Sequence, residues 1–171
     1  MAVFTKIRTF CGELFLESDG VSLVRVAFFE PEGFTESGEN CPVLRIARAQ
    51  FAEYFAGTRK QFDLPIVCTG TFFREKVWAA LREIPYGETR TYGEIAKIIC
   101  SPGASRAVGA ANHVNPLPIV VPCHRVVGAH GKLSGYAGGT EMKRALLEHE
   151  RHFSRCGECG AEYHCGHGLS L

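Results

Sequence analysis

Nine residues constrain this chain more than any others: Ile119-Val120-Val121-Pro122-Cys123-His124-Arg125-Val126-Val127. The β-branched residues on both sides read as buried strand. Between them stand a thiol, an imidazole and a guanidinium, groups that cost free energy to bury unless they are paired or used. Pro122 has no backbone donor and a fixed φ, so a regular central strand is not expected to run through it. In a continuous strand Cys123 and His124 would point to opposite faces. The chain must therefore bend here, or a water must relay between the two groups. Either way the fold has to be built around this insert.

The stretches before it set a two-part layout. Short apolar blocks at Val3 to Phe10, Cys11 to Leu16 and Val21 to Phe29, with Ser18-Asp19-Gly20 as a turn, predict strands joined by a hairpin. Residues 30–40 read as an exposed loop. Val43, Ile46, Ala47, Phe51, Tyr54 and Phe55 show helical spacing that Gly57 closes. Phe62 to Pro65 reads as a short extended segment, and the boundary falls near Gly70. Beyond it Thr71 is placed to cap a helix from Phe72 to Glu83, with Phe73, Val77, Ala80 and Leu81 inward. Thr91 caps a short helix from Tyr92 to Ile99, with Ile95, Ile98 and Ile99 inward. Ser101-Pro102 marks the start of another helix, with Pro at its first position, running to Asn112. Two short helices on a tight Ser-Pro-Gly turn form a helix-turn-helix signature. Leu133 to Gly139 is a flexible loop able to offer backbone donors to a pocket, and Thr140 to Glu150 closes the unit as a helix.

Charge is divided unevenly. Residues 1–71 carry 7 basic and 9 acidic side chains, whereas residues 72–151 carry 11 and 7. The mildly basic second half permits a nucleic-acid partner without demanding one. The helix around Ala104-Ser105-Arg106-Ala107-Val108-Gly109-Ala110-Ala111 has two readings. It is either a core helix packed closely on a neighbour, or a thin helix suited to the narrow minor groove with Arg106 as its one long probe. No run approaches a membrane span and the N-terminus lacks a signal-peptide pattern, so a cytoplasmic location without membrane contact is expected. The 8 cysteines are then expected to be reduced, metal-bound or catalytic.

An isolated cysteine is usually a structural thiol, but the flanking His124, the bend at Pro122 and polar Arg125 point to a nucleophile. The imidazole can hold or take the thiol proton, and it needs an orienting group in turn. Glu150, at the end of the last helix, is the candidate orienter, and Asn115 a further polar support. Residue chemistry alone reaches "thiol nucleophile": hydrolase, transferase and redox sensor all remain open.

Several motifs in register go further. Arg106-Ala107-Val108-Gly109, Asn115-Pro116, Ile119 to Val127 with its Pro-Cys-His-Arg, Gly135-Tyr136-Ala137-Gly138-Gly139 and Leu146-Leu147-Glu148-His149-Glu150 together resemble the O6-alkylguanine-DNA alkyltransferases, also called methylated-DNA–protein-cysteine methyltransferases. The resemblance covers residues 72–151; residues 1–71 match that family's variable N-terminal part in length and pattern only. It implies an α+β chain: a small α/β, ribonuclease-H-like unit over 1–70, then a helical, winged-helix-like DNA-binding unit over 71–151 that carries the active site. It implies single-turnover DNA repair, in which the alkyl group of O6-alkylguanine, and of O4-alkylthymine, passes to Cys123. By the same resemblance His124 draws the thiol proton through a water, Glu150 orients His124, and Asn115 braces the turn. Arg106 fills the gap left by the extruded base, with Ala107 and Ala110 beside it on the DNA. Tyr92 presses on the target phosphate and donates to guanine N3. Val126, Tyr136 and Ala137 surround the base. The expected partner is double-stranded DNA bound through its minor groove by a monomer.

Some members of that family hold zinc in the N-terminal part through Cys and His. No His precedes His113 here, so no such mixed site is expected, and no cofactor is required. The tail over 152–171 departs from the family pattern. Its Cys156, Cys159, Cys165 and His167 supply four ligands of suitable type for a zinc ion on loops short for tetrahedral closure, against the competing reading of a disordered, tag-like or redox-sensitive tail. Two further readings compete with repair: a non-catalytic DNA-binding module, for which Cys123 would be dispensable, and a thiol hydrolase using Cys123, His124 and Glu150.

Overall fold

The computed structural model describes residues 2–133 and 135–156. It is a mixed α/β structure in which three antiparallel strands and one helix precede a mainly helical half. Strands β1 (Val3–Thr9) and β2 (Gly12–Ser18) form a hairpin in register from Val3↔Ser18 to Thr9↔Gly12. β3 (Leu23–Ala27) pairs with the far side of β2, with a bulge at Glu17/Ser18. The turn between β2 and β3 is held by Asp19, whose Oδ1 accepts from the amides of Val21 and Ser22 at 2.8 and 2.7 Å. That is the local side-chain bonding for which Asp is favoured in turns. Helix α1 (Pro42–Phe55) begins on Pro42 and buries Leu44, Ala47, Phe51 and Tyr54 against the sheet. Ile46, expected inward, is exposed.

In the second half, α2 (Phe72–Arg82) is capped by Thr71 and buries Val77, Trp78, Ala80 and Leu81. The two-residue strand β4 (Arg90–Thr91) leads into α3 (Tyr92–Ile98), and α4 (Ser105–His113) follows. Trp78 crosses to α4 and donates its indole N–H to the Ala111 carbonyl at 3.0 Å. The start of α3 is a capping box. The Thr91 hydroxyl accepts from the Glu94 amide, and the Glu94 carboxylate accepts from the Thr91 amide at 2.6 Å. Thr91→Ala is expected to cost about 1 kcal/mol of stability, read by urea unfolding. It should also loosen Tyr92, the first residue of α3.

Several expectations are corrected here. Ile119 to Val121 is not strand: Ile119 has φ of 76° and the segment turns on itself, with the Val121 amide bonded to the Leu117 carbonyl. Only the other flank pairs, as β5 (Val126–Val127) parallel to β4. α4 starts at Ser105 and not at Pro102, because Ser101-Pro102-Gly103 is itself the turn and Gly103 takes φ of 90°. Ile98 of α3, expected inward, is exposed; the chain pairs with β3 just beyond the extended segment of Phe62 to Pro65, at Ile66, which bridges Leu23. The closing helix α5 runs past Glu150, over Thr140–Cys156.

The two halves share one core. Buried apolar side chains run without a break from Leu14 and Leu23 through Phe51, Tyr54 and Trp78 to Ile95, Val121 and Leu146. Backbone bonds join them too, since the Val26 amide of β3 donates to the Pro116 carbonyl at 2.8 Å. No helix among the described residues is long and apolar enough to cross a membrane.

Candidate active site

The bend required at Pro122 is a single 3₁₀ turn over Cys123–Arg125. With Ile119 in the left-handed region and Pro122 at ψ of 64°, the chain folds back before entering β5, so three consecutive side chains fan out into the core. Cys123 is 3% exposed and His124 is fully buried. Asn115, after α4, braces this bend: its Nδ2 donates to the Val121 carbonyl at 2.8 Å and its Oδ1 accepts from the Leu117 amide at 3.0 Å.

Glu150 of α5 sits under the turn with both oxygens engaged. His124 Nε2 lies 2.8 Å from Oε1, and Arg125 clamps the carboxylate through Nε to Oε2 at 2.9 Å and Nη2 to Oε1 at 3.0 Å. The Gly87 amide donates to Oε2 at 3.1 Å, and the Tyr54 hydroxyl to Oε1 at 2.7 Å. Gly87 has φ of 80°, and a Cβ there would stand 2.7 Å from Ser154 Oγ, so glycine alone brings that amide to the carboxylate. Burial by itself would raise the Glu150 pKa, but His124 and Arg125 outweigh it and hold the carboxyl well below the usual range. An ionised carboxylate only accepts, so His124 must carry its proton on Nε2. Nδ1 is left as the free base nitrogen, buried and without a hydrogen-bond partner among the described residues.

The thiol and the imidazole are both tuned toward neutrality. Burial pushes Cys123 up to about 11, against weaker pulls downward from Asn115 and Lys143. Burial lowers His124, with Glu150 partly opposing. The resting pair is thus thiol and neutral imidazole, with no standing ion pair.

The remaining expected residues take distinct places. Tyr92 begins α3 and is half-buried; the Lys143 ammonium lies 3.5 Å from its hydroxyl and 5.8 Å from its ring centre. Arg106, Ala107 and Ala110 share the exposed face of α4, so the reading of α4 as an entirely buried helix does not hold for that face. Its other face, Val108 and Ala111, is core. Val126 is buried in β5. Tyr136 is buried and packs on Phe28 of the first half with ring centres 5.4 Å apart and planes tilted by 51°, while exposed Ala137 lines a cavity of about 410 Å³ with Asn115, Pro118 and Phe28. Of the proposed tail ligands, Cys159, Cys165 and His167 lie outside the described residues, and Cys156 is described only as the last residue of α5. Among the described residues no cluster of His, Cys, Asp or Glu could hold a metal ion.

Three participants were not singled out by sequence reasoning. Arg125 was noted only as polar, Tyr54 as a core position, and Lys143 not at all. Lys143 is fully buried, which a lysine almost never is without partners. That burial cannot be read from a position between Met142 and Arg144 on a helix rich in charged residues.

The same arrangement of chain is found in known proteins. Residues 72–152 match the family described as 6-O-methylguanine DNA methyltransferase, DNA binding domain. A methylated-DNA–protein-cysteine methyltransferase of Methanosarcina acetivorans is 50% identical over 146 residues, covering 81% of this chain and 92% of that protein. This chain belongs to the methylated-DNA–protein-cysteine methyltransferase family. The constitutive family member of Bacillus subtilis is 46% identical over 160 residues, 88% of this chain and 96% of its own. The Mycobacterium tuberculosis O6-methylguanine methyltransferase crystal structure superposes with a TM-score of 0.81 at 46% identity, covering 89% of this chain and 94% of that one. A second structure of the mycobacterial protein, in complex with DNA, also gives 0.81 at 46% identity over 88% and 93% of the two chains.

Proposed function

We propose that this protein repairs DNA by moving the alkyl group of O6-alkylguanine onto Cys123, once per molecule, without a cofactor. The observation that carries the proposal is a buried thiol beside an imidazole whose Nε2 proton is fixed on Glu150, leaving Nδ1 as the base. His124 takes the thiol proton through a water as the sulfur attacks. The new S–C bond forms as the C–O6 bond of the lesion breaks, and Tyr92 protonates guanine N3 so that neutral guanine leaves. Lys143 lies against the Tyr92 hydroxyl, where its charge favours the phenolate that follows. The proton His124 gained and the one Tyr92 gave re-equilibrate through solvent. The product is guanine and a thioether, and among the described residues no group near the sulfur is arranged to hydrolyse it.

The partner is double-stranded DNA bound by a monomer in the cytoplasm. Residues 71–151 provide contact and chemistry, and residues 1–70 support the site from behind. The exposed face of α4 supports minor-groove contact, because Ala107 and Ala110 let the backbone approach while Arg106 reaches the stack. A flipped base would lie among Val126, Tyr136 and Ala137. O4-alkylthymine, with the same O-alkyl edge, is a second substrate. Zinc at Cys156, Cys159, Cys165 and His167 is not needed for any of these steps.

Incubation with a duplex holding one O6-methylguanine, followed by intact-mass measurement, tests the reading. One methyl group on the Cys123 peptide, and no further repair from excess DNA, is the expected result. Tight lesion binding without mass gain would make the protein a recognition module instead. Arg106→Ala should slow transfer from duplex DNA by roughly tenfold or more, about the cost of a lost wedge of a few kcal/mol. Transfer from single-stranded DNA, which needs no extrusion, should change little.

A further inference from the structure

Tyr54 belongs to α1, 96 residues before Glu150, yet it is fully buried with its hydroxyl 2.7 Å from Glu150 Oε1. That is the same oxygen that meets His124 Nε2 at 2.8 Å. We propose that Tyr54 is a positioning residue which sets the proton affinity of His124 by competing with it for Glu150 Oε1. The inference rests on the assignment of His124 as the base.

The physical chain is short. Glu150 is acceptor-only, so the phenol must donate, and each donor on Oε1 drains charge from the bond to His124. The Tyr54 hydroxyl is held where it is by neighbours from both halves. Its ring meets Phe55 edge-on at 5.2 Å, Phe62 at 5.5 Å and Tyr86 at 6.0 Å, and its carbonyl lies 2.8 Å from His149 Nε2. Burial, then Glu150, raise the phenol well above its ordinary pKa, so it keeps the proton it donates. The other groups facing this array are Arg125 and Cys123 from the 3₁₀ turn, Tyr86 and the Gly87 amide from the segment after α2, and Lys143 and His149 from α5. Removing one hydroxyl at position 54 removes none of them; Arg125 Nη2, 3.0 Å from the same Oε1, shares the released charge with His124. With that donor gone, Oε1 binds the His124 proton more strongly and the imidazolium becomes easier to form.

Tyr54→Phe keeps the ring and its packing. In the full-length protein the His124 Nε2 proton resonance should move downfield. The acid limb of the single-turnover transfer rate should also move to higher pH, by up to about one unit. Phe55→Leu, which disturbs the same aromatic cluster but leaves the hydroxyl, should shift neither. An unmoved or upfield resonance in Tyr54→Phe, or an equal shift in Phe55→Leu, overturns the proposal, because a packing role would produce those results. If the resonance moves downfield while the rate profile stays in place, the link to Glu150 stands and the assignment of His124 as the base fails.

Discussion

Cys123→Ala is expected to bind an O6-methylguanine duplex as tightly as the parent and to gain no mass from it. Transfer should drop by at least about 10⁴-fold, as when other covalent catalysts lose their nucleophile. Stability should fall by only on the order of 1 kcal/mol, because a buried Cys behaves as a small apolar side chain and little volume is lost. The separation matters: a binding module would be indifferent to this change, and a structural thiol would show itself in unfolding and not in chemistry. Intact-mass and gel-shift measurements on one preparation read both. A variant that still removes methyl groups from DNA would refute the assignment of Cys123 as acceptor.

Glu150→Gln is expected to be worse for the fold than the loss of the nucleophile. Arg125 and His124 are buried against this carboxylate, and a neutral amide leaves the guanidinium uncompensated, at a cost of about 3–5 kcal/mol. Acid should mimic the substitution. Because the folded pKa of Glu150 is depressed, its stabilisation is fully present above the ordinary carboxylate value of 4.5 and is lost as pH falls from there through the folded pKa. The parent should therefore lose stability steeply below about pH 4.5, whereas Glu150→Gln should show a shallower acid limb. Denaturant midpoints measured from pH 7 to pH 3 decide it; parallel curves for the two proteins would remove Glu150 as the source.

How much of this was legible in the sequence depends on how local each cause is. Thr91 alone gave away the start of α3, and Glu94, which completes the capping box, lies within the same turn. The bend at Cys123 followed from Pro122 and from the need to bring two neighbouring side chains to one side. Reading Ile119 to Val121 as strand failed because β-branched residues signal burial more than backbone shape, and here an isoleucine at positive φ is held by the surrounding packing. Pro102 misled in the same manner, as Pro fits a turn as well as a first helical turn. The Tyr54 contact was out of reach. A tyrosine at a helical core position looks the same whether its hydroxyl meets solvent or a carboxylate 96 residues away.

The order of the chain adds a consequence. The thiol at 123 is made before the carboxylate that gives its neighbour direction, and α5 must dock before Glu150 reaches His124, Arg125 and Tyr54 together. A nascent or clipped chain ending between 127 and 150 would lack Glu150 and leave His124 and Arg125 buried without their counter-charge. One late helix therefore completes both the fold and the base.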